Sequence, residues 1–406
     1  SEFARKNYFY PDLPKGYQIS QHEHPICEHG SLEVESAEGG ESTRVGIRRI
    51  HLEEDAGKST HLEGAPHSLV DLNRCGVPLI EIVSEPDIRT PAQARAYMKK
   101  LRNIVVWLGI SDGDMSEGSL RCDANVSVRR VGDEELGTRT ELKNINSFKF
   151  VHDGIAFEVG RQIEILESGG EVDQQTRLYD PDAGETVAMR TKEESHDYRY
   201  FPEPDLPPLV IEDEWLEGVQ ASLPEMPDEK RRRYSEEYGL GDYDAGVLTS
   251  ERGVAEFFEA VVSRQPASPK RVANWIINEL MSLLNDRGES VDEARIDAGR
   301  MATIIAFVEE ETISQNAGQE VIEEILAGGG DPEEIIEEKG LEQVSDESEL
   351  VGVVEEIIEQ NPDQVAEYRG GKQQLIGWFI GQVMQATQGK ANPKVAREIL
   401  QDQLDA

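Results

Sequence analysis

The strongest constraint on the fold is a proline-rich segment at residues 201–208, where four of the eight residues are proline. Proline lacks a backbone N–H and fixes φ, so this segment cannot lie in a helix or a central strand. Apolar residues before it follow a mixture of strand and helix periods, whereas from about Trp215 they follow the helical period almost throughout. The sequence therefore predicts an α+β fold class, with sheet and helix on one side of the segment and helices on the other.

Individual elements are predictable in the first part. Alternation predicts strands at residues 44–52 and 120–129, and a short apolar run predicts another at 77–83. Thr90 followed by proline is a helix N-cap signal, and Gly109 ends the helical pattern that follows. A second helix is predicted over residues 148–167.

Three domains follow from these patterns. Residues 1–212 are predicted to form a mixed-sheet domain. Residues 213–290 form an all-α helical domain that ends at a Gly-Glu-Ser break, and residues 291–406 form an all-α tail of short amphipathic helices.

The net charge of −40 excludes binding through bulk positive charge. The acidic excess is spread along the chain, which is typical of a surface adapted to high salt. The acid-rich segment 331–360 is expected to face solvent.

Cys27, Cys75 and Cys122 lie far apart with no C-x-x-C pair, so neither a disulfide framework nor a thiolate zinc site is expected. No apolar run is long enough for a membrane span, and the first residues given lack the basic and apolar regions of a signal peptide. These features predict a reducing, cytoplasmic location and no membrane partner.

Glu54 is the first candidate site residue. If the strand at 44–52 continues, Glu54 shares a face with Ile50 and Leu52, while His51 and Glu53 point to the other face. A carboxylate on an apolar face requires a cation or a donor. The alternative is a strand end whose acids are exposed to solvent. The following Gly-Lys-Ser-Thr at 57–60 partly resembles a phosphate-binding loop but lacks half of its glycines.

Glu81 interrupts the apolar run at 77–83, where both faces of the strand are expected to be covered. Two carboxylates on neighbouring strands suit Mg²⁺, which takes few protein oxygens and leaves room for phosphate. The alternative is a single buried acid paired with Arg74.

A polar stripe follows at Arg121, Asp123, Asn125 and Ser127, which alternate on one face of the strand predicted there. A cation beside amides suits a phosphoryl group or a carboxylate. The solvated outer face of a sheet gives the same pattern.

Three lysines mark the tail, where lysine is otherwise scarce: Lys372, Lys390 and Lys394. Their position near helix ends and glycines suggests phosphate contact. Favourable charge near helix termini is the alternative.

Taken together, several long motifs resemble one family, the B subunits of the glutamine-dependent amidotransferases that repair misacylated tRNA. The resemblance runs almost from end to end, through residues 5–21, 52–61, 71–88, 117–127, 141–147 and 197–208.

This resemblance implies a cradle domain with the catalytic site, a helical domain, and a YqeY-like tail that grips tRNA. An A subunit hydrolyses glutamine and supplies ammonia, and a C subunit completes a heterotrimer. ATP phosphorylates the Asp or Glu side chain carried by the tRNA, and ammonia displaces the phosphate. No DNA partner is implied.

Site roles are expected from the resemblance together with residue type. Glu54 and Glu81 are expected to bind Mg²⁺, with Arg121 near the acyl-phosphate. The tail lysines are expected to contact tRNA. ATP and its phosphates are expected at Lys58, Ser59, Thr60, Asn73 and Arg74, with Lys58 also taking part in catalysis.

Two other functions match parts of the pattern. One is the related archaeal Glu-tRNA(Gln)-specific subunit, but its inserted domain has no room here. The other is a tRNA-holding module without catalysis, which the retained acids and basic residues disfavour.

The composition suggests a halophilic archaeon, and the family's further N-terminal strand is absent, so the chain is expected to be truncated and inactive alone. Whether Asp-tRNA(Asn), Glu-tRNA(Gln) or both are substrates does not follow from the sequence.

Overall fold

The proline-rich segment lies close to the division of the molecule into two compact units, Ser1–Pro224 and Glu225–Ala406. The computed structural model describes residues 1–35, 42–61, 67–189, 198–343, 347–387 and 389–405. The expected boundary at 212/213 falls twelve residues before the observed one, because the first helix after the prolines belongs to the first unit.

Unit 1 has twelve strands and three helices among its described residues. The strands are β1 Ala4–Asn7, β2 Tyr17–Ser20, β3 Cys27–Val34, β4 Thr43–Glu54, β5 Lys58–His61, β6 Ser68–Asp71, β7 Pro78–Ser84, β8 Ala124–Val126, β9 Thr140–Lys143, β10 Gln175–Asp180, β11 Glu185–Ala188 and β12 Phe201–Pro202. The helices are α1 Pro91–Trp107, α2 Phe148–Glu167 and α3 Asp213–Ser222.

The largest sheet is antiparallel, in the order β12-β1-β2-β4-β3, and β7 pairs with β4. The twelve-residue β4 joins three neighbours: β3 along its first part, β2 near its end, and β7 on its other side. The strands predicted at 44–52 and 77–83 are confirmed. Because β7 pairs only with β4 among the described strands, one of its edges is open.

A second sheet has the order β11-β10-β9-β8, with β9 and β10 parallel and the other pairs antiparallel. The strand predicted at 120–129 is wrong in extent, since only Ala124–Val126 has a ladder partner. Its alternating polarity arises because Arg121 and Asp123 meet side chains on other elements, Asp55 and Lys143.

Helices α1 and α2 begin where the sequence predicts. Thr90 caps α1 and forms a capping box with Gln93, and proline occupies the first turn. Ser147 caps α2 through the N–H of Phe150. The two helices pack together and join the strands in a core that includes Val45, Tyr97, Leu101, Leu142, Val151 and Tyr179.

Beneath this core lies a buried acid. Glu158 of α2 is fully buried, and five side chains contact its carboxylate: Thr140, Arg161, Gln162, Arg177 and Thr186. Burial alone would raise its pKa, but the hydrogen bonds from Arg161, Gln162 and the threonine hydroxyls lower the pKa of Glu158 to about 2. The network ties α2 to β9, β10 and β11.

The described part of unit 2 consists mainly of helices, as predicted, joined by turns and with an isolated β-bridge between Ile313 and Glu342. The helices are α4 Pro227–Tyr238, α5 Asp242–Leu248, α6 Arg252–Val262, α7 Pro269–Asn274, α8 Met281–Arg287, α9 Ala298–Glu309, α10 Gln315–Gly328, α11 Pro332–Lys339, α12 Glu347–Gln360, α13 Pro362–Arg369, α14 Ile376–Ala386 and α15 Pro393–Asp405. A π-helical turn, Trp275–Leu280, joins α7 to α8, and a 3₁₀ turn, Gln373–Leu375, precedes α14.

The described residues of unit 2 form two hydrophobic cores. One runs from Tyr234 to Ile336, and the other runs from Leu350 to Leu404. The Gly288 break is present as a left-handed helix cap, but the first core continues across it. The expected domain boundary at 290/291 therefore does not coincide with a change of core, which occurs between Ile336 and Leu350.

The acids of α11 face solvent, as expected for this part of the acid-rich segment: Glu333, Glu334, Glu337 and Glu338 are exposed while Ile336 is buried. None of the helices in the described residues combines the length and apolarity needed to cross a membrane.

Replacing Glu158 tests the buried network. We expect Glu158→Gln to reduce the free energy of unfolding at pH 7 by about 3 kcal/mol, because it leaves Arg161 and Arg177 without their charged partner. The lowered pKa contributes stability above pH 4.5 that is lost as the pH falls towards 2. Urea unfolding from pH 2 to 7 should thus show a parent–variant difference that shrinks as the solution is acidified, and a pH-independent difference would contradict this account.

Candidate active site

The pairing of β4 with β7 brings together three side chains of metal-ligating type: His51, Glu53 and Glu81. The ladder places His51 directly opposite Glu81, and strand alternation places Glu53 on the same face as His51. Ligand atoms of these three residues all lie within 4.8 Å of one another. His51 is 1% exposed and Glu53 is 9% exposed, so the group has a buried floor.

Glu53 is held by donors from neighbouring strands. The Ser20 hydroxyl donates to its Oε1 at 2.7 Å, and the Gln18 amide donates to its Oε2 at 3.1 Å. His51 Nε2 lies 3.2 Å from Oε1, and the Lys6 ammonium lies 4.0 Å from the same oxygen. These contacts fix the direction of the carboxylate.

The charge state of Glu53 follows from the same contacts. Burial alone would raise the pKa of its carboxyl group, but the hydrogen bond from His51, the Lys6 charge and the Ser20 hydroxyl bring the pKa below its ordinary value. Glu53 therefore remains an anion at neutral pH, which a metal ligand requires.

The group has the chemistry of a divalent-cation site. His51 Nε2 lies 3.2 Å from a Glu53 oxygen and 3.9 Å from a Glu81 oxygen, so one imidazole nitrogen and two carboxylates converge. Carboxylates suit Mg²⁺, and an imidazole in addition suits Mn²⁺ or Zn²⁺. The open face beside Glu81 leaves space for further ligands.

Glu54, expected to be a metal ligand, is not in this group. It lies on the opposite face of β4, where it pairs with Lys15 and accepts a hydrogen bond from the Ile19 N–H at 2.9 Å. A cation and a hydrogen-bond donor do contact Glu54, as expected for an acid on this face, but the cation is the Lys15 ammonium group. The structure does not place Glu54 beside Glu81, because successive strand residues point to opposite faces.

Glu81 itself lies in the group, but it is not buried. Its side chain is 46% exposed, because β7 has an open edge. A continuous apolar run predicts two covered faces, yet Ile80 is also exposed. Arg74 does not pair with Glu81, so that alternative is also wrong.

The partner of Arg74 is Asp55, which no sequence pattern marks as a site residue. Asp55 Oδ2 lies 3.4 Å from Arg74 Nε and 2.9 Å from Arg121 Nη2. A single, largely buried carboxylate thus brings together two arginines that are separated by almost fifty residues in the chain. Both guanidinium groups remain partly exposed.

The candidate phosphate-binding residues lie on the β5–β6 hairpin and the turn after it. Lys58 and Ser59 are paired in register with Asp71 and Val70 of β6, and Thr60 follows on β5. Asn73 donates to the Asp71 carboxylate at 2.7 Å within the turn.

Gly57 fixes the approach to the hairpin. Its N–H donates to the Asp12 carbonyl at 2.8 Å, and a Cβ there would lie 2.6 Å from the Asp71 carbonyl oxygen. Any side chain at residue 57 would therefore clash with the Asp71 backbone, so packing by itself explains why this residue is glycine.

Aromatic residues border the acidic group. His22 stacks on Tyr200 with ring centroids 4.7 Å apart, and its ring lies edge-on to His51 at 6.5 Å. Tyr198 receives the Lys6 ammonium over its ring at 5.1 Å. Tyr198 and Tyr200 are thus placed beside the site.

The three tail lysines lie in unit 2. Lys372 pairs with Glu367 at 3.1 Å, and Lys394 lies in the first turn of α15, where its N–H donates to the Asn392 side-chain oxygen. Lys390 lies in the loop before α15 and is partly exposed.

Sequence reasoning missed His51, Glu53 and Asp55. The alternation of His51 and Glu53 is visible in the sequence, but only the register of β7 shows that this face also receives Glu81. Nothing in the local sequence indicates that Asp55 meets Arg121, since that contact depends on the tertiary fold.

Comparison with known proteins first defines the class. Residues 1–217 match a family model described as the GatB/GatE catalytic domain, and residues 256–404 match one described as the GatB domain. The first match assigns the unit that carries the acidic group to a catalytic domain.

Whole-chain relatives agree. The chain is 56% identical over 405 residues to the B subunit of the aspartyl/glutamyl-tRNA(Asn/Gln) amidotransferase of Halorhodospira halophila, covering 100% of this chain and 84% of that protein. It is 51% identical over 400 residues to the protein of the same name from Thermodesulfovibrio yellowstonii, covering 98% and 83%. The chain therefore belongs to the GatB/GatE family. These relatives are bacterial, so the expected halophilic archaeal source gains no support from them.

The affinity for a divalent cation distinguishes the group seen in the structure, His51, Glu53 and Glu81, from the expected pair, Glu54 and Glu81. We expect Glu53→Gln to weaken binding of Mn²⁺, used as a paramagnetic probe, by at least about tenfold, because it removes an anionic ligand. Glu54→Gln should leave that affinity within about twofold, since its carboxylate faces Lys15. Mn²⁺ titration followed by electron paramagnetic resonance measures both, and equal losses in the two variants would contradict this ligand set.

Proposed function

We propose that this chain is the amidating subunit of an aspartyl/glutamyl-tRNA(Asn/Gln) amidotransferase that works with A and C subunits. It converts Asp-tRNA(Asn) or Glu-tRNA(Gln) to Asn-tRNA(Asn) or Gln-tRNA(Gln), forming a C–N bond with glutamine as the amido donor. The most direct support is that residues 1–217, which include His51, Glu53 and Glu81, match the GatB/GatE catalytic domain. Relatives aligned over the whole of this chain are named as B subunits of that amidotransferase.

The reaction has two steps. A side-chain carboxylate oxygen of the aminoacyl-tRNA attacks the γ-phosphorus of ATP; the new O–P bond forms as the bond to ADP breaks. Ammonia from the A subunit then attacks the acyl carbon, the C–O bond to phosphate breaks, and the nitrogen loses a proton. The first step brings two anions together, so the site must offset negative charge.

Within this chain, His51, Glu53 and Glu81 are the residues we assign to Mg²⁺. When bound, the ion supplies charge neutralisation and orients the phosphates. Glu53 is held rigidly by Ser20 and Gln18, whereas Glu81 is on the open edge and faces the incoming ligand.

Positive groups near the loop are assigned to the other phosphate oxygens. Lys58, Ser59 and Thr60 on β5 and the turn residues Asn73 and Arg74 are proposed to contact ATP. Arg121 is proposed to face the acyl-phosphate, where a planar guanidinium can bind two oxygens. Asp55 places Arg121 and Arg74 at one point, which supports a shared anion site.

Unit 2 is proposed to hold the tRNA. Its described surface includes the solvent-facing acids of α11, so contact depends on placed cations such as Lys372, Lys390 and Lys394 together with backbone amides. The alternative of a non-catalytic tRNA-holding module leaves the ordered Glu53 and the convergence of three ionisable side chains without a role. The archaeal alternative requires an inserted domain, and residues 198–343, all described, pass from β12 to the helices of unit 2 without one.

The reaction tests the assignment of Glu81. In the heterotrimer, we expect Glu81→Gln to lower ATP-dependent transamidation by at least about 100-fold while tRNA binding persists, because a ligand charge is lost from the metal site. Glu85→Gln is the matched control, since Glu85 follows the same strand but pairs with Arg48 on the surface. Thin-layer analysis of labelled aminoacyl-adenosine measures the product for each misacylated tRNA, and parent-like amidation by Glu81→Gln would refute the assignment.

Salt dependence tests the tail. We expect Lys394→Gln to weaken tRNA binding and to reduce the slope of log Kd against log salt by about one, because one phosphate contact is removed. The parent slope should itself be shallow for so acidic a protein. Filter binding from about 0.1 M to molar salt, with Lys270→Gln on α7 as control, provides the measurement; an unchanged slope would remove Lys394 from the interface.

A further inference from the structure

We propose that Asp55 is a positioning residue for phosphoryl transfer, which it supports by holding Arg74 and Arg121 together as one anion-binding pair. The inference rests on the proposed function and extends it to a residue that has no assigned role. Asp55 does not itself contact substrate; it acts through the two arginines.

The backbone fixes the direction of the Asp55 carboxylate. Its N–H donates to the Val77 carbonyl at 2.8 Å, and its own carbonyl accepts from the Gly76 N–H at 2.9 Å. Oδ1 accepts from the Ala56 N–H at 2.9 Å, so Oδ2 is left for the arginines. These hydrogen bonds therefore hold the Asp55 carboxylate in one orientation, in which Oδ1 faces the backbone and Oδ2 faces the two arginines.

The arginines reach this anchor from separate parts of unit 1. Arg74 lies in the turn before β7, and Arg121 lies before β8. Two guanidinium groups repel each other unless an anion lies between them, and Oδ2 supplies that anion. Each guanidinium has five N–H donors, so most of the donors remain available to a ligand.

The charge balance favours a phosphoryl group as that ligand. Two guanidinium groups and one carboxylate leave a local charge of about +1 in a strongly acidic protein. Both side chains are more than a third exposed, so their outer faces are accessible, while the Asp55 side chain is only 12% exposed. A planar, paired array of N–H donors matches phosphate oxygens in geometry as well as charge.

The position along the chain connects this pair to the metal group. Asp55 follows Glu53 by two residues, which separates their Cα atoms by about 7 Å in extended chain. Lys58 on β5 follows three residues later. One short stretch thus carries a proposed cation ligand, the anchor for two cations and a proposed phosphate contact.

The primary test uses Asp55→Asn and Asp55→Glu in the heterotrimer. The readout is ATP hydrolysis that depends on misacylated tRNA. We expect Asp55→Asn to lower kcat about 10- to 100-fold with glutaminase activity within about twofold of the parent. Asp55→Glu keeps the charge but moves it by one methylene, so kcat should still fall about tenfold. If Asp55→Asn does not fold, Asp55→Glu carries the test.

Glu158→Gln is the matched control, because it also removes a buried acid that pairs with arginines in unit 1. It should destabilise the chain yet leave kcat per folded heterotrimer within about twofold. An equal loss of kcat in Glu158→Gln and Asp55→Asn would overturn the positioning role, as would parent-like kcat in Asp55→Glu.

A double-mutant comparison separates this inference from the proposed function. Arg74→Met with Arg121→Met should lower kcat at least as much as Asp55→Asn, and adding Asp55→Asn should change it by less than about twofold. If the paired Met variant keeps the parent rate, the phosphate role of the arginines fails. If that variant loses activity while Asp55→Asn keeps the parent rate, the arginine role stands and the positioning inference fails.

Discussion

The site depends on one antiparallel ladder, the pairing of β4 with β7. A shift of one residue would turn His51 away from Glu81 and would exchange Glu53 for Glu54 on the site face. The register is held by apolar contacts along the first part of β4 and by the β3 ladder beside it. The same ladder ends where Asp55 donates to the Val77 carbonyl, so it also sets the position of the arginine pair.

Three consecutive acids at the end of β4 and directly after it show how the backbone decides which partners a carboxylate meets. Glu53 points to the buried site face, Glu54 points to Lys15 on the other face, and Asp55 turns to Arg74 and Arg121. Their side chains are chemically alike, so composition does not distinguish them. The differences arise because each carboxylate meets a different set of donors, and those donors come from distant parts of the chain.

The net charge of −40 is compatible with this chemistry because individual cations are placed against the carboxylates around the site. Lys6, Lys15, Arg74 and Arg121 each contact a specific carboxylate in unit 1. Exposed acids elsewhere, as on α11, face solvent and are screened by salt. Binding of an anionic nucleic acid to so acidic a protein then relies on placed contacts.

The sequence by itself determined the α+β class, the helical second half, the capped starts of α1 and α2, and the family, because these depend on local periodicity, capping and long ordered motifs. It also predicted Glu81, Arg74 and Arg121 as candidate site residues, and those roles stay predictions. Only the tertiary structure decided that Glu53 and His51 join Glu81, that Glu54 does not, and that Asp55 links the two arginines. Strand register and contacts between distant segments are not encoded in local pattern, so these choices required the fold.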